Sequence, residues 1–162
     1  MKHQSTRAVF EYWTRKRGTR SAPARADIDP AEIRHALGDT FILAADFAGE
    51  LRLRLAGTRV CALFDRELKG ETFSGLWSTE SRASIDELLT SVTDEAAGAV
   101  AGATARTTDG ATAELEMLLL PLAEAGHARV RAMGVLAPRV PPWWLGAKPA
   151  AELTLGTVRH TG

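Results

Sequence analysis

One cysteine, four histidines and a pair of alternating glutamates are the side chains of this 162-residue chain whose chemistry would show first. A reactive thiolate needs an electropositive, partly exposed setting. Cys61 stands instead in the apolar stretch "TRVCALF", which favours an inert, buried thiol. A haem iron would need an axial ligand. His3 and His160 lie near the two ends, His35 on a short capped helix away from the core, and His127 at a turn before a strand, so each reads as solvated. Glu114 and Glu116 alternate with Leu115 and Met117, which places both carboxylates on one strand face, expected to meet solvent. A catalytic acid/base pair would need a cleft and unlike environments instead. The chain has no GxxxxGK phosphate loop, no GxSxG, no HExxH and no GxGxxG. The chemistry-bearing residues therefore point away from an enzyme.

Composition narrows the partners. Lys plus Arg equals Asp plus Glu, so no basic excess argues for nucleic acid. A lone cysteine excludes an internal disulfide and a thiolate metal cluster. No apolar run approaches the ~20 residues of a membrane-spanning helix. The N-terminus lacks an apolar leader core, so a cytoplasmic location is expected. Residues 1–25 carry a net charge of +6, read as a solvated helix face and linker.

The elements that would position these residues follow from period and punctuation. "STRAVFEYWTRKRG" predicts a helix capped by Ser5 or Thr6 and stopped by Gly18, with Val9, Tyr12 and Trp13 on one face. "DIDPAEIRHALG" predicts a second helix, with Asp29 as N-cap, Pro30 in the first turn, Glu32 completing a capping box and Gly38 as stop. "TFILAADF" and "LRLRLAG" predict a hairpin, with Leu51, Leu53 and Leu55 on one face of its second strand. Short helices over "TRVCALF" and beyond, a long helix with Ile85, Leu88, Leu89 and Val92 inward and Gly98 as stop, and three more strands complete the order. Asp109-Gly110 marks the second hairpin. In the last strand Val130, Ala132 and Leu136 point inward, and Arg129 and Arg131 outward. The tail from Ala147 is expected to be poorly ordered. The fold class is α+β: five antiparallel strands with helices on one face, plus an N-terminal helix. The expected division is a helix and linker over 1–26, a domain over 27–138 and a tail over 139–162.

"DIDPAEI" followed by "LRLRLAGTRVCALFDRELKGETFSGLW" resembles the bacterial stand-alone PAS-like proteins, over roughly residues 5–138. The best-matching positions are Gly57-Thr58-Arg59, Leu63-Phe64, Leu68, Gly70 and Trp77; the family carries a glycine where this chain has Asp65. The resemblance implies a sensory or regulatory module. In such a fold the helices after the second strand form one wall of a cavity and the sheet the other. Cys61, Phe64, Phe73, Trp77, Leu89, Met117 and Leu119 are then candidates to meet a small apolar ligand, or to pack as plain core. Arg59, at the mouth, either holds an anionic ligand with its planar fork or clamps Asp65 or Glu67. A light-sensing flavin domain of this class would need an Asn-Cys-Arg type motif and a nearby Gln. Cys61 lacks that setting and Gln4 is the only glutamine, so no flavin or haem motif is present and any cofactor is unknown.

No kinase, cyclase or DNA-binding output domain is read in the sequence, so if the chain senses, it is expected to pass the signal by binding, to a second copy or to a signalling protein. Val9, Tyr12 and Trp13 of the first helix, and Trp143 and Trp144 of "PPWWLG", are the expected contact residues. The alternatives are a binder of a constitutive small molecule and, less favoured, a small enzyme on an α+β scaffold.

Overall fold

The computed structural model describes residues 1–124 and 129–161. His127 therefore lies outside the described residues. The elements run α1 (Gln4–Arg17), β1 (Thr40–Ala45), β2 (Leu51–Ala56), α2 (Thr58–Phe64), α3 (Thr79–Asp94), β3 (Ala99–Thr107), β4 (Thr112–Pro121), β5 (Val130–Pro138) and β6 (Ala150–His160). The sheet has six strands in the order β2-β1-β5-β4-β3-β6, every neighbour antiparallel. The sixth strand corrects the expected five. The tail expected to be disordered pairs with β3 along its length, from Thr107 opposite Ala150 to Ala99 opposite His160. Ala150, Leu153, Leu155 and Val158 supply enough apolar contact to hold it there.

Both faces of the central strands are buried, by different elements. On one face α2, α3 and the segment around Trp77 cover Phe41, Leu43, Leu53, Leu115, Met117 and Leu119. On the other, α1 brings Val9, Tyr12 and Trp13 onto Leu118, Leu120, Met133 and Val135. This explains the unbroken apolar run Met117–Leu120 of β4, since a strand covered on both sides loses its alternation.

Bulges correct two side-chain assignments. The β1–β2 register passes from Ile42 opposite Leu55 to Leu43 opposite Leu53, leaving Arg54 as an extra residue. Leu55 therefore shares the face of Ile42 rather than that of Leu51 and Leu53, and is 43% exposed there. Arg131 is the extra residue between β1 and β5, which turns Val130 to the α1 side. Arg131 then leans back to the carbonyl of Thr93 (3.2 Å) and the carboxylate of Asp94 (3.1 Å).

Caps also differ in detail. His3, not Ser5 or Thr6, caps α1, its Nδ1 accepting the Ser5 N–H at 3.1 Å, while Gly18 ends the helix as expected. The second helix is two 3-10 turns, Pro30–Ile33 and Leu37–Asp39. Asp29 does cap the first turn, through the Ala31 N–H. Glu32 does not close a box; it pairs with Lys16 at 2.8 Å. α3 stops at Asp94, with Glu95 as its cap and Ala96 at a positive φ, before Gly98 is reached.

Candidate functional site

Gly57 is the pivot between the hairpin and the helical wall. Its backbone is ordinary in φ, but a Cβ there would sit 2.2 Å from the carbonyl oxygen of Leu37 and 2.4 Å from that of Gly38. The absence of a side chain lets the 37–39 turn lie directly against the start of α2. That approach delivers Asp39 to Arg59. Asp39 is buried; Oδ1 accepts from Arg59 Nε at 2.8 Å, and Oδ2 accepts from Arg59 Nη2 at 3.0 Å and from Ser5 Oγ at 2.6 Å. Arg59 also donates to the carbonyl of His35 at 3.1 Å. The carboxylate at its side raises the Arg59 guanidinium further above its already high range. Arg59 thus clamps Asp39, not Asp65 or Glu67 as the sequence suggested.

The consequence is mechanical. Ser5 belongs to α1 on one face of the sheet, and Arg59 belongs to α2 on the other. Asp39 ties both through charge-assisted hydrogen bonds. Asp65 closes α2 at φ 52, in the left-handed region. Glycine adopts this conformation most easily and aspartate tolerates it, so the substitution keeps the turn.

The proposed wall residues assemble in one cluster. Phe64, Phe73, Trp77, Leu89, Met117 and Leu119 are all buried in it, and Cys61 packs against it half-buried. Phe73 stacks on Phe41 at 5.1 Å between ring centroids and meets Trp77 at 5.9 Å. Leu89 also reaches a surface cleft of about 430 Å³ beside Leu51, Asp86 and Arg131. Within this apolar cluster Trp77 Nε1 is buried without a hydrogen-bond partner among the described residues, as is the neighbouring Ser78 Oγ. Orphan buried donors are uncommon and call for an explanation. The Cys61 thiol lies 3.6 Å from Glu67 Oε1; burial, with that carboxylate adding, raises it above its ordinary value despite a hydrogen bond from the Leu68 backbone.

The expected contact residues separate. Val9, Tyr12 and Trp13 are buried on their own sheet, Trp13 donating from Nε1 to the Pro121 carbonyl at 2.8 Å. Trp144 is fully buried, whereas Trp143 is 75% exposed, with Val140 also exposed nearby.

Sequence reasoning missed Asp39, Ser5 and Glu116. Glu116 was expected at solvent; it is 3% exposed and accepts from the backbone N–H groups of Lys2 (2.7 Å) and His3 (2.8 Å) at the start of α1. Burial pushes this carboxyl upward, but the two N–H donors, together with the Thr6 side chain and the N-terminal charge, hold it below its ordinary range. Its neighbour Glu114 is exposed, as expected. Alternation correctly placed the two on one face, but α1 covers only part of that face. Among the described residues no group of three His, Cys, Asp or Glu side chains could hold a metal ion.

A six-stranded antiparallel sheet whose hairpin leads into α2 and α3 defines a PAS-like fold. The sequence profile of the family described as PAS domain matches residues 1–137, and the chain belongs to that family. A solved structure agrees in fold. The dark structure of the blue-light photoreceptor Aureochrome1 LOV aligns over 70% of this chain and 84% of its own, at 12% identity and a TM-score of 0.51. The PAS domain of a protein from Colwellia psychrerythraea covers 68% of this chain and 97% of its own, at 17% identity and a TM-score of 0.45. No curated protein matches the chain. No helix among the described residues is long and apolar enough to cross a membrane.

Proposed function

We propose that the chain is a non-enzymatic sensory module that works in the cytoplasm and reports through protein contacts, as a homodimer or with a signalling partner. Residues 27–138 are the sensing unit; 1–26 and 139–162 carry its contacts. A small ligand in the cluster of Phe64, Phe73, Trp77, Leu89, Met117 and Leu119, with Cys61 at its edge, gates those contacts. PAS domains are generally sensory folds, which supports the class.

The observation that carries the gating is the tie through Asp39 between α2, the wall of that cluster, and α1 on the far face. A shift of α2 is passed to α1 by two hydrogen-bonded contacts to one carboxylate. The unpartnered Trp77 Nε1 supports a ligand that brings an acceptor into an otherwise apolar site. Native mass spectrometry of freshly purified chain, then of the same sample denatured, tests the reading. Retained mass that is lost on denaturation, and absent from Trp77→Phe, supports the gate. A bare chain whose oligomeric state is unchanged by Trp77→Phe overturns it.

A further inference from the structure

The Asp39–Arg59 pair lies in a cleft of about 320 Å³ between the start of α1, α2 and the segment after β5. Its charged and titratable lining is His3, His35, Asp39, Arg59 and Arg139. Asp39, the one carboxylate among them, is already engaged: Arg59 Nε reaches one oxygen, and Arg59 Nη2 and Ser5 Oγ the other. The cationic side is not exhausted. Arg59 is 55% exposed, and its Nη1 makes no hydrogen bond among the described residues. Arg139 is exposed and forms no ion pair among the described residues; its backbone N–H alone is used, on the Glu114 carbonyl. The cleft thus offers spare N–H donors on two guanidinium groups and no spare carboxylate. Asp39 holds Arg59 in a fixed orientation, so little side-chain freedom is lost when a ligand engages the free edge of its fork. A cation would find no unengaged carboxylate there.

We propose that this cleft binds a small phosphate-bearing metabolite, its oxyanion held by Arg59 Nη1 and Arg139. The site is distinct from the apolar cluster around Trp77. Because Arg59 shares its guanidinium with Asp39, an anion on Arg59 draws charge from the Asp39 contact and loosens the Ser5 tie to α1. This last consequence rests on the sensory reading above; the binding does not.

Inorganic pyrophosphate, titrated into the isotope-labelled full chain at constant ionic strength, is the probe. The expected result is saturable NMR shifts at the Arg59 and Arg139 Nε–H groups and the Ser5 amide, with affinity weakened at least tenfold by Arg139→Gln. Arg139 has no side-chain partner among the described residues, so that variant tests binding without threatening the fold. Shifts that fail to saturate, shifts spread evenly over the basic residues of α1, or an Arg139→Gln affinity equal to that of the parent would each overturn the site. A chain that binds pyrophosphate but retains no core ligand, with its oligomeric state unchanged by Trp77→Phe, keeps this proposal and loses the core gate.

Discussion

Trp143 and Trp144 are adjacent in the chain and face opposite surroundings. Trp144 is fully buried against the sheet and donates from Nε1 to the carbonyl of Thr112 at 3.3 Å. Trp143 is exposed, with Lys148 over its ring at 5.2 Å. One anchors the segment that leads into β6, and the other lies at the surface without a place in the core. Trp144→Ala should cost about 3–5 kcal/mol, as removal of a buried Trp does. Trp143→Ala should stay within about 0.5 kcal/mol, as at other exposed sites. Urea unfolding of both variants checks the contrast, and equal losses would refute the division of roles.

Removal of Arg59 leaves Asp39 buried with only Ser5 as partner. Arg59 is half exposed, so Arg59→Gln should cost about 2 kcal/mol, below the ~3–5 kcal/mol of a fully buried pair. For a chain of this length that lowers Tm by about 4–8 °C. Arg59→Lys should recover less than half of the loss, because a point ammonium cannot make both bonds of the fork. Differential scanning calorimetry distinguishes this from simple charge loss, in which Lys would rescue fully.

Glu116 links stability to acid pH. Its carboxyl is depressed in the folded chain, so its contribution is complete above the ordinary glutamate value of 4.5 and is lost as pH falls through the lower folded value. Glu116→Gln should be about 1–3 kcal/mol less stable than the parent at pH 7. That gap should narrow steadily below pH 4.5 as the parent protonates. A gap that stays constant from pH 7 to pH 3 would contradict the role of the carboxylate.

Gly57→Ala tests the close approach at the pivot. A methyl group 2.2 Å from the Leu37 oxygen has nowhere to go without moving the 37–39 turn. The turn carries Asp39, so the variant should lose stability and the Arg59 contact together. Arg59 Nε–H should move toward a solvent-exposed shift in the NMR spectrum; an unchanged signal would show that the turn tolerates the displacement.

Cys61 should be a slow thiol. Burial first, and the nearby Glu67 carboxylate second, hold it protonated. Iodoacetamide at pH 7.5 should alkylate it at least about tenfold more slowly than in the urea-unfolded chain, which corresponds to one pKa unit or an equivalent loss of access. Comparable rates would mark it as reactive.

Much of the fold was legible because periodicity reports burial. Ile85, Leu88, Leu89 and Val92 read directly as one helix face, and Asp109-Gly110 as a hairpin turn, with Gly110 at φ 90. Register was not legible, because the bulges at Arg54 and Arg131 are defined only by the partner strands. β6 was missed because its Gly, Thr and Ala residues carry little apolar signal; β3 and the Trp77 segment give it a place to pack. The Asp39–Arg59 pair was equally hidden. Its members lie twenty residues apart, and only the bare backbone of Gly57 brings them together.

β6 also sets the order in which the chain can become safe during synthesis. β3 leaves the ribosome well before its outer neighbour, and its free edge from Ala99 to Thr107 has no partner until Ala150 to His160 have followed. In that interval the backbone N–H of Ser78 also lacks its acceptor, the carbonyl of Leu153. An unpaired edge in a half-made sheet is open to strand addition by any neighbouring chain. The nascent protein is therefore open to such strand addition at this edge from the synthesis of β3 until Ala150 to His160 have paired with it.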